Sequence, residues 1–153
     1  MTPTQKSLVV GSFARAYAAK RNVGRRFYLE LFARAPELRP LFPQDLATQQ
    51  ELLNQTLATV VKEVHRLEVL SPALTALARR HAGYGAEPAH FALVGEALIG
   101  ALAEETPGGL SYEEEAAWGA AYGAISGLMI PALEDELARA EGGASLACGA
   151  ESE

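Results

Sequence analysis

The chain has 153 residues, 49% hydrophobic and 21% charged, with a formal net charge of −6, which describes one folded domain with material for a core and excludes a disordered polyelectrolyte. The acidic balance repels phosphate backbones and argues against nucleic acid as a partner. Apolar runs stop well short of the roughly 20 residues of a membrane span, the N-terminus MTPTQKSLVV lacks a secretory signal pattern, and the one cysteine, Cys148, can form neither an internal disulfide nor a zinc cluster, so the expected compartment is the cytoplasm.

The dominant periodicity is helical, with no alternating strand pattern, so the fold class is all-α. Thr2 and Pro3 open a first helix whose inner face reads Val9, Phe13, Tyr17. A second helix runs from about Val23, with Phe27, Tyr28 and Leu31 inward, until Pro36 ends it. Pro36, Pro40 and Pro43 turn the chain sharply around ELRPLF, which ends in Phe42. A long helix is expected from about Leu46 to Arg66, with Leu53, Leu57, Val60 and Val64 on its apolar stripe. Ser71 and Pro72 read as the cap and first residue of the next helix, which carries Leu74, Leu77, Ala78 and His81 inward and stops at Gly83 and Gly85. Pro88 is expected to start a fifth helix with Phe91, Val94, Leu98 and Leu102 inward. Pro107, Gly108 and Gly109 break it, and Ser111 with Glu114 forms a capping-box pattern for the last helix. That helix shows Trp118, Tyr122, Ile125, Met129 and Leu133 on one face, with Pro131 expected to kink it. The domain is placed at residues 1–141, and residues 142–153 are expected to form a disordered tail.

Two polar residues stand where the periodicity calls for apolar ones. Gln49 precedes Leu53 by four residues, and His81 follows Leu77 by four. A buried polar group is costly unless partnered. A lone inward histidine is most often a satisfied core residue, and a lone inward glutamine usually sits at a helix end. Here both occur on successive helices, with Tyr28 inward on an earlier one, which permits a shared polar pocket. His65 and His90 read as exposed or sideways. Glu113, Glu114 and Glu115 suit the positive end of the last helix dipole, and Glu134, Asp135 and Glu136 suit a solvated face. No phosphate loop, nucleophile elbow or metal-protease helix is present.

FYLELFARAPELRPLF (27–42), the run from Gln49 to Leu57, ARRHAGYGAEPAHFALVGEAL (78–98) and AWGAAYGAISGLMI (117–130) together resemble single-domain bacterial haemoglobins and the globin domain of flavohaemoglobins. The resemblance covers roughly residues 5–140 and fits without a gap from Tyr28 to Phe42 and from Gln49 to His81. It implies the globin fold, a three-over-three helical sandwich around one haem b. His81 matches the proximal iron ligand and Phe42 the phenylalanine on the haem face. Tyr28 and Gln49 match the distal tyrosine and glutamine that stabilise a bound gas, and Leu53 matches the apolar residue beside them. Leu77, Tyr84, Phe91 and Val94 are the further residues expected around the haem.

One departure stands out. Flavohaemoglobins place a tyrosine and a glutamate behind the proximal histidine, and ungapped counting puts Phe91 and Leu133 there; a register shift at Pro131 would bring Glu134 inward instead. The resemblance implies oxygen, nitric oxide and carbon monoxide as ligands. It also implies a choice between nitric oxide turnover and oxygen storage, delivery or sensing; a haem-free regulatory module has no need of His81, Tyr28 and Gln49 together. No flavin or nicotinamide domain is expected after the globin region, so turnover is expected to depend on an external flavin/NAD(P)H reductase. The oligomeric state stays open, with a homodimer among the candidates.

Overall fold

The computed structural model describes residues 1–142; the rest of the tail expected over 142–153, Cys148 included, lies outside the described residues. Six α-helices and two 3-10 segments make up the fold, with no strand among the described residues.

Helix α1, Pro3–Ala18, starts where the sequence directs it. The Thr2 hydroxyl accepts from the Gln5 N–H at 3.1 Å, and the Gln5 side chain accepts from the Thr2 N–H at 3.0 Å. Val9, Ser12 and Ala16 are its buried residues, whereas Tyr17 is 71% exposed, against expectation. Two steps of four residues advance the helix about 80° beyond whole turns, which carries position 17 off the face that position 9 occupies. Ser12 takes the indole N–H of buried Trp118 at 2.9 Å and donates to the Leu8 carbonyl at 2.7 Å, so the α1–α6 contact contains no unpaired indole donor.

Helix α2 spans Val23–Arg34, and Phe27, Tyr28 and Leu31 are buried as expected. A 3-10 segment, Pro36–Leu41, follows, since the prolines cannot donate to a regular helix. Helix α3, Ala47–Lys62, ends earlier than expected; a second 3-10 segment, Val64–Leu70, with non-helical Arg66 inside it, takes over the last turn of the predicted helix. Helix α4 is Ser71–Gly83. Ser71 is not its cap: the preceding Leu70 is already helical, so the chain enters from the 3-10 segment and Ser71 makes no capping bond. At the other end Gly85, at φ 93°, lets Ala86 N–H reach the His81 carbonyl at 3.0 Å, a glycine-terminated helix end.

Helix α5 begins at His90, two residues after Pro88, and ends at Glu105. The delay has a local cause: the His90 ring Nδ1 accepts from the Glu87 N–H at 3.0 Å, closing a turn before the helix starts. Helix α6, Tyr112–Gly142, begins with the predicted capping box, Ser111 and Glu114 bonded reciprocally at 2.9 and 3.1 Å. Arg15 of α1 grips the same Glu114 carboxylate at 2.7 and 3.2 Å, which holds that carboxyl below its ordinary pKa. The helix runs on through Pro131 as a single element. By length and composition alone it would also cross a membrane, but its inner face packs on α1 and α4.

Helix α2 packs chiefly on α5 and α3, α1 on α6, and α4 on α6. The buried apolar residues form two clusters. One joins α1, α2, α3, α5 and the first half of α6 around Leu31, Leu57, Leu102 and Trp118; the other joins α4 and the second half of α6 around Leu74, Ala78, Met129 and Leu133. Fully burying one such leucine contributes about 1.5–3 kcal/mol. Successive helices α3 and α4 have no extended packing on each other, and the division between the clusters runs between them.

The α2–α3 crossing is tight because residue 24 is glycine. A Cβ there would stand 2.3 Å from the Gln50 carbonyl oxygen, and the Gly24 N–H donates to Asn54 at 2.7 Å. Gly24→Ala should therefore cost about 1–3 kcal/mol, measured as a lowered urea midpoint with an unchanged m-value. An unchanged midpoint would show that the two helices separate without penalty.

Candidate functional site

The apolar residues singled out from the sequence divide between the two clusters, with α3 and α4 on different ones. On the α3 side, Leu53, Phe42 and Val94 pack against the larger cluster, which includes Tyr28 itself. On the α4 side, Leu77 and Phe91 pack against the smaller one.

His81 is partly buried in the last turn of α4, where its ring Nδ1 lies 2.8 Å from the Leu77 carbonyl one turn back. A carbonyl only accepts, so Nδ1 carries the proton and Nε2 keeps its lone pair. Burial pushes the His81 pKa below its ordinary value, the Leu77 hydrogen bond opposes that shift, and the neighbouring Arg80 charge adds to it. The result at neutral pH is an uncharged imidazole of fixed tautomer, the form that ligates a metal. Tyr84 lies beside it, ring centres 5.9 Å apart, and is 42% exposed. The Nδ1 partner is the Leu77 carbonyl rather than Tyr84.

Behind His81, Leu133 is fully buried while Glu134 is exposed. The register through Pro131 therefore turns Leu133, and not Glu134, into the smaller cluster. Phe91 also lies there, and its carbonyl accepts from the Tyr122 hydroxyl at 2.8 Å. Tyr122 is seated by Gly95, where a Cβ would approach its ring to 2.8 Å. The sequence showed Tyr122 only as one apolar position among five; its link to the start of α5 needed a pairing of two glycine-rich helices that periodicity does not encode.

On the opposite side, burial pushes the Tyr28 pKa up to about 12, so the phenol remains a hydrogen-bond donor at every physiological pH. Its ring contacts Phe42 edge-on at 5.6 Å and Phe32 at 6.0 Å, and those two rings meet at 5.3 Å. Arg39 lies 5.3 Å over the Phe32 ring and donates to the carbonyls of Phe42, Pro43 and Gln44, which fixes the turn carrying Phe42. Phe32 and Arg39 were not anticipated; an arginine three residues before Phe42 in a proline-rich turn was the available signal.

Gln49 carries the most informative atom. Its Oε1 is buried without a hydrogen-bond partner, a condition shared among the described residues only by the Thr106 hydroxyl at the end of α5. Buried polar atoms are nearly always paired, so an orphan marks a place built for something the protein itself does not supply. His65 is exposed on the second 3-10 segment, and His90 is used in its own turn.

The globin family profile matches residues 25–129, more than half of the chain. A flavohemoprotein of Deinococcus radiodurans is 30% identical over 133 residues, covering 85% of this chain and 33% of the relative. One from Bordetella parapertussis is 32% identical over 109 residues, covering 69% and 27%. The chain thus spans about a third of the length of these relatives. A bacterial globin from Campylobacter jejuni superposes with a TM-score of 0.77 at 21% identity, over 88% of this chain and 97% of that one. An engineered carbene transferase made from a Rhodothermus marinus protein, itself proposed to be a nitric oxide dioxygenase, gives 0.82 at 23% identity, over 92% and 99%. With the profile match and the helical architecture together, the chain belongs to the globin family.

Proposed function

We propose that this globin binds one haem b through His81 and handles a diatomic gas, with nitric oxide detoxification as its reaction when electrons are supplied from outside. Two observations carry the reading: a tautomer-fixed imidazole in the last turn of α4, and a buried, unpartnered Gln49 amide oxygen on α3. Among the described residues no three His, Cys, Asp or Glu side chains cluster. A single imidazole fits a metal whose other ligands arrive with it, as in haem. The apolar walls supplied by Phe42, Leu53, Leu77, Phe91 and Val94 suit a flat apolar macrocycle.

Bound haem would supply the redox-active iron at which oxygen and nitric oxide react. The chain's own residues have simpler duties. His81 offers Nε2, and Leu77 keeps its ring from turning. Tyr28 donates its hydroxyl proton toward a ligand carrying partial negative charge, and the Gln49 amide can present its N–H groups by rotating its end. Conversion of nitric oxide and oxygen to nitrate takes up one electron per nitric oxide. We assign that electron to a separate flavin-containing NAD(P)H reductase, following the kinship with flavohemoproteins. The cytoplasm remains our proposed compartment.

The purified protein given haem should show an intense Soret band, and His81→Ala should lose or strongly weaken it. Retention of the wild-type spectrum by His81→Ala, with loss in His90→Ala or His65→Ala, would overturn the ligand assignment. Tyr28→Phe should release oxygen roughly tenfold to a hundredfold faster, the kinetic equivalent of a hydrogen bond worth on the order of 1–3 kcal/mol, while carbon monoxide release changes less. Equal effects on the two gases would exclude the phenol as donor. Oxygenated protein mixed with nitric oxide should complete a single turnover and cycle only after a reductase is added; steady consumption with NADH alone would rule out the external donor.

A further inference from the structure

On the outer side of the α2–α3 pair the surface opens into a cleft of about 170 Å³ lined by Arg25, Tyr28, Leu29, Phe32, Leu46 and Gln50. Water in bulk occupies about 30 Å³ per molecule, so the cleft has room for a diatomic gas or a small anion. Its inner wall is made by Tyr28 and Phe32, the same rings that pack on Phe42. Tyr28 therefore belongs at once to an outside cleft and to the aromatic group that packs on Phe42, ahead of α3. Gln50 lines the cleft, and the next residue back, Gln49, holds the buried, unpartnered amide oxygen.

Arg25 is the charged group of the lining. The other arginines of α2 are committed: Arg26 to Glu105 at 3.2 Å, and Arg34 to Glu30 and, at 3.9 Å, to Glu96. The guanidinium of Arg25 has no ion-pair partner among the described residues; its backbone N–H alone is used, in the Asn22 cap. A free cation at a narrow opening raises the local concentration of anions, and here it acts against a chain of net charge −6 that otherwise repels them.

We propose that this cleft is the passage between solvent and the ligand side of the α3–α4 gap, with the Tyr28 ring as its inner gate and Arg25 selecting small monoanions of the nitrate class at its mouth. The proposal rests on the haem-binding reading above and adds the path and its charge preference. Arg25 is a specificity residue here, touching the passing anion and not the reacting atoms.

The test uses the haem-loaded protein and two probes of unlike charge: azide for the ferric form and carbon monoxide for the ferrous form, each followed by stopped-flow absorbance. Leu46→Trp, which fills the cleft, should slow association of both probes roughly tenfold or more, and Leu29→Trp, at a half-exposed position, should do the same if the first variant folds poorly. Arg25→Glu should slow azide severalfold at low salt, lose that effect at high salt as screening takes over, and leave carbon monoxide unchanged. A normal Soret band with unchanged rates for both probes in the tryptophan variants overturns the passage. Slowing by tryptophan with no azide effect from Arg25→Glu overturns the charge selection. Absence of a Soret band in the unmodified protein overturns the haem reading, and the passage with it.

Discussion

The separation of α3 from α4 is the constraint on which the rest of the structure depends. Two consecutive helices joined by a short 3-10 segment would ordinarily bury their apolar faces against each other. Here each is held elsewhere: α3 by α2, through the glycine at residue 24, and α4 by α6, through Leu74, Ala78, Met129 and Leu133. The 3-10 segment Val64–Leu70 makes this geometry available, because it touches α1, α3, α4 and α6 and replaces the last turn that would have carried α3 straight on. The two apolar clusters are therefore built on different helix partners, with α6 contributing to both.

That arrangement accounts for polar groups that would otherwise be unfavourable. Leaving the Gln49 carbonyl oxygen buried and unpaired costs about 1–3 kcal/mol, and burying the Tyr28 phenol without titrating it commits it to donation. A core selected for stability alone would place leucine at both positions. By contrast, the Ser12–Trp118 and Tyr122–Phe91 hydrogen bonds are fully matched inside the protein and serve only to fix α6 against α1 and α5. The contrast between matched and unmatched polar groups distinguishes the scaffold from the site.

Much of this was legible in the sequence, for reasons specific to each residue. His81 and Gln49 interrupt a helical stripe, and an interruption can be read from spacing alone. The capping box at Ser111 and Glu114 is local chemistry and appears as expected. What failed were features decided by neighbours in space. Tyr17 leaves the core because α1 meets α6 along Val9, Ser12 and Ala16; Ser71 caps nothing because the chain arrives already helical; and the end of α3 at Lys62 follows from the kink at Arg66 rather than from any breaker residue. The kinship itself, carried by the four quoted segments, supplied roles that periodicity could not.

The surroundings of His81 restrict what chemistry the site favours. Its Nδ1 proton is given to a neutral carbonyl, and Leu133 and Phe91 occupy the space behind α4 while Glu134 faces solvent. A carboxylate acceptor would draw that proton and give the imidazole anionic character; a peptide carbonyl does so far less. As a metal ligand, such an imidazole would push little charge onto the metal, and electron push is what favours cleavage of an oxygen–oxygen bond. Tyr28 and Gln49 belong instead to α2 and α3, away from α4, and in the proposed reading they would hold a ligand there. The distribution of polar groups, a carbonyl-bonded imidazole on α4 and an unpaired amide oxygen on α3, is the feature that the proposed gas-handling function rests on.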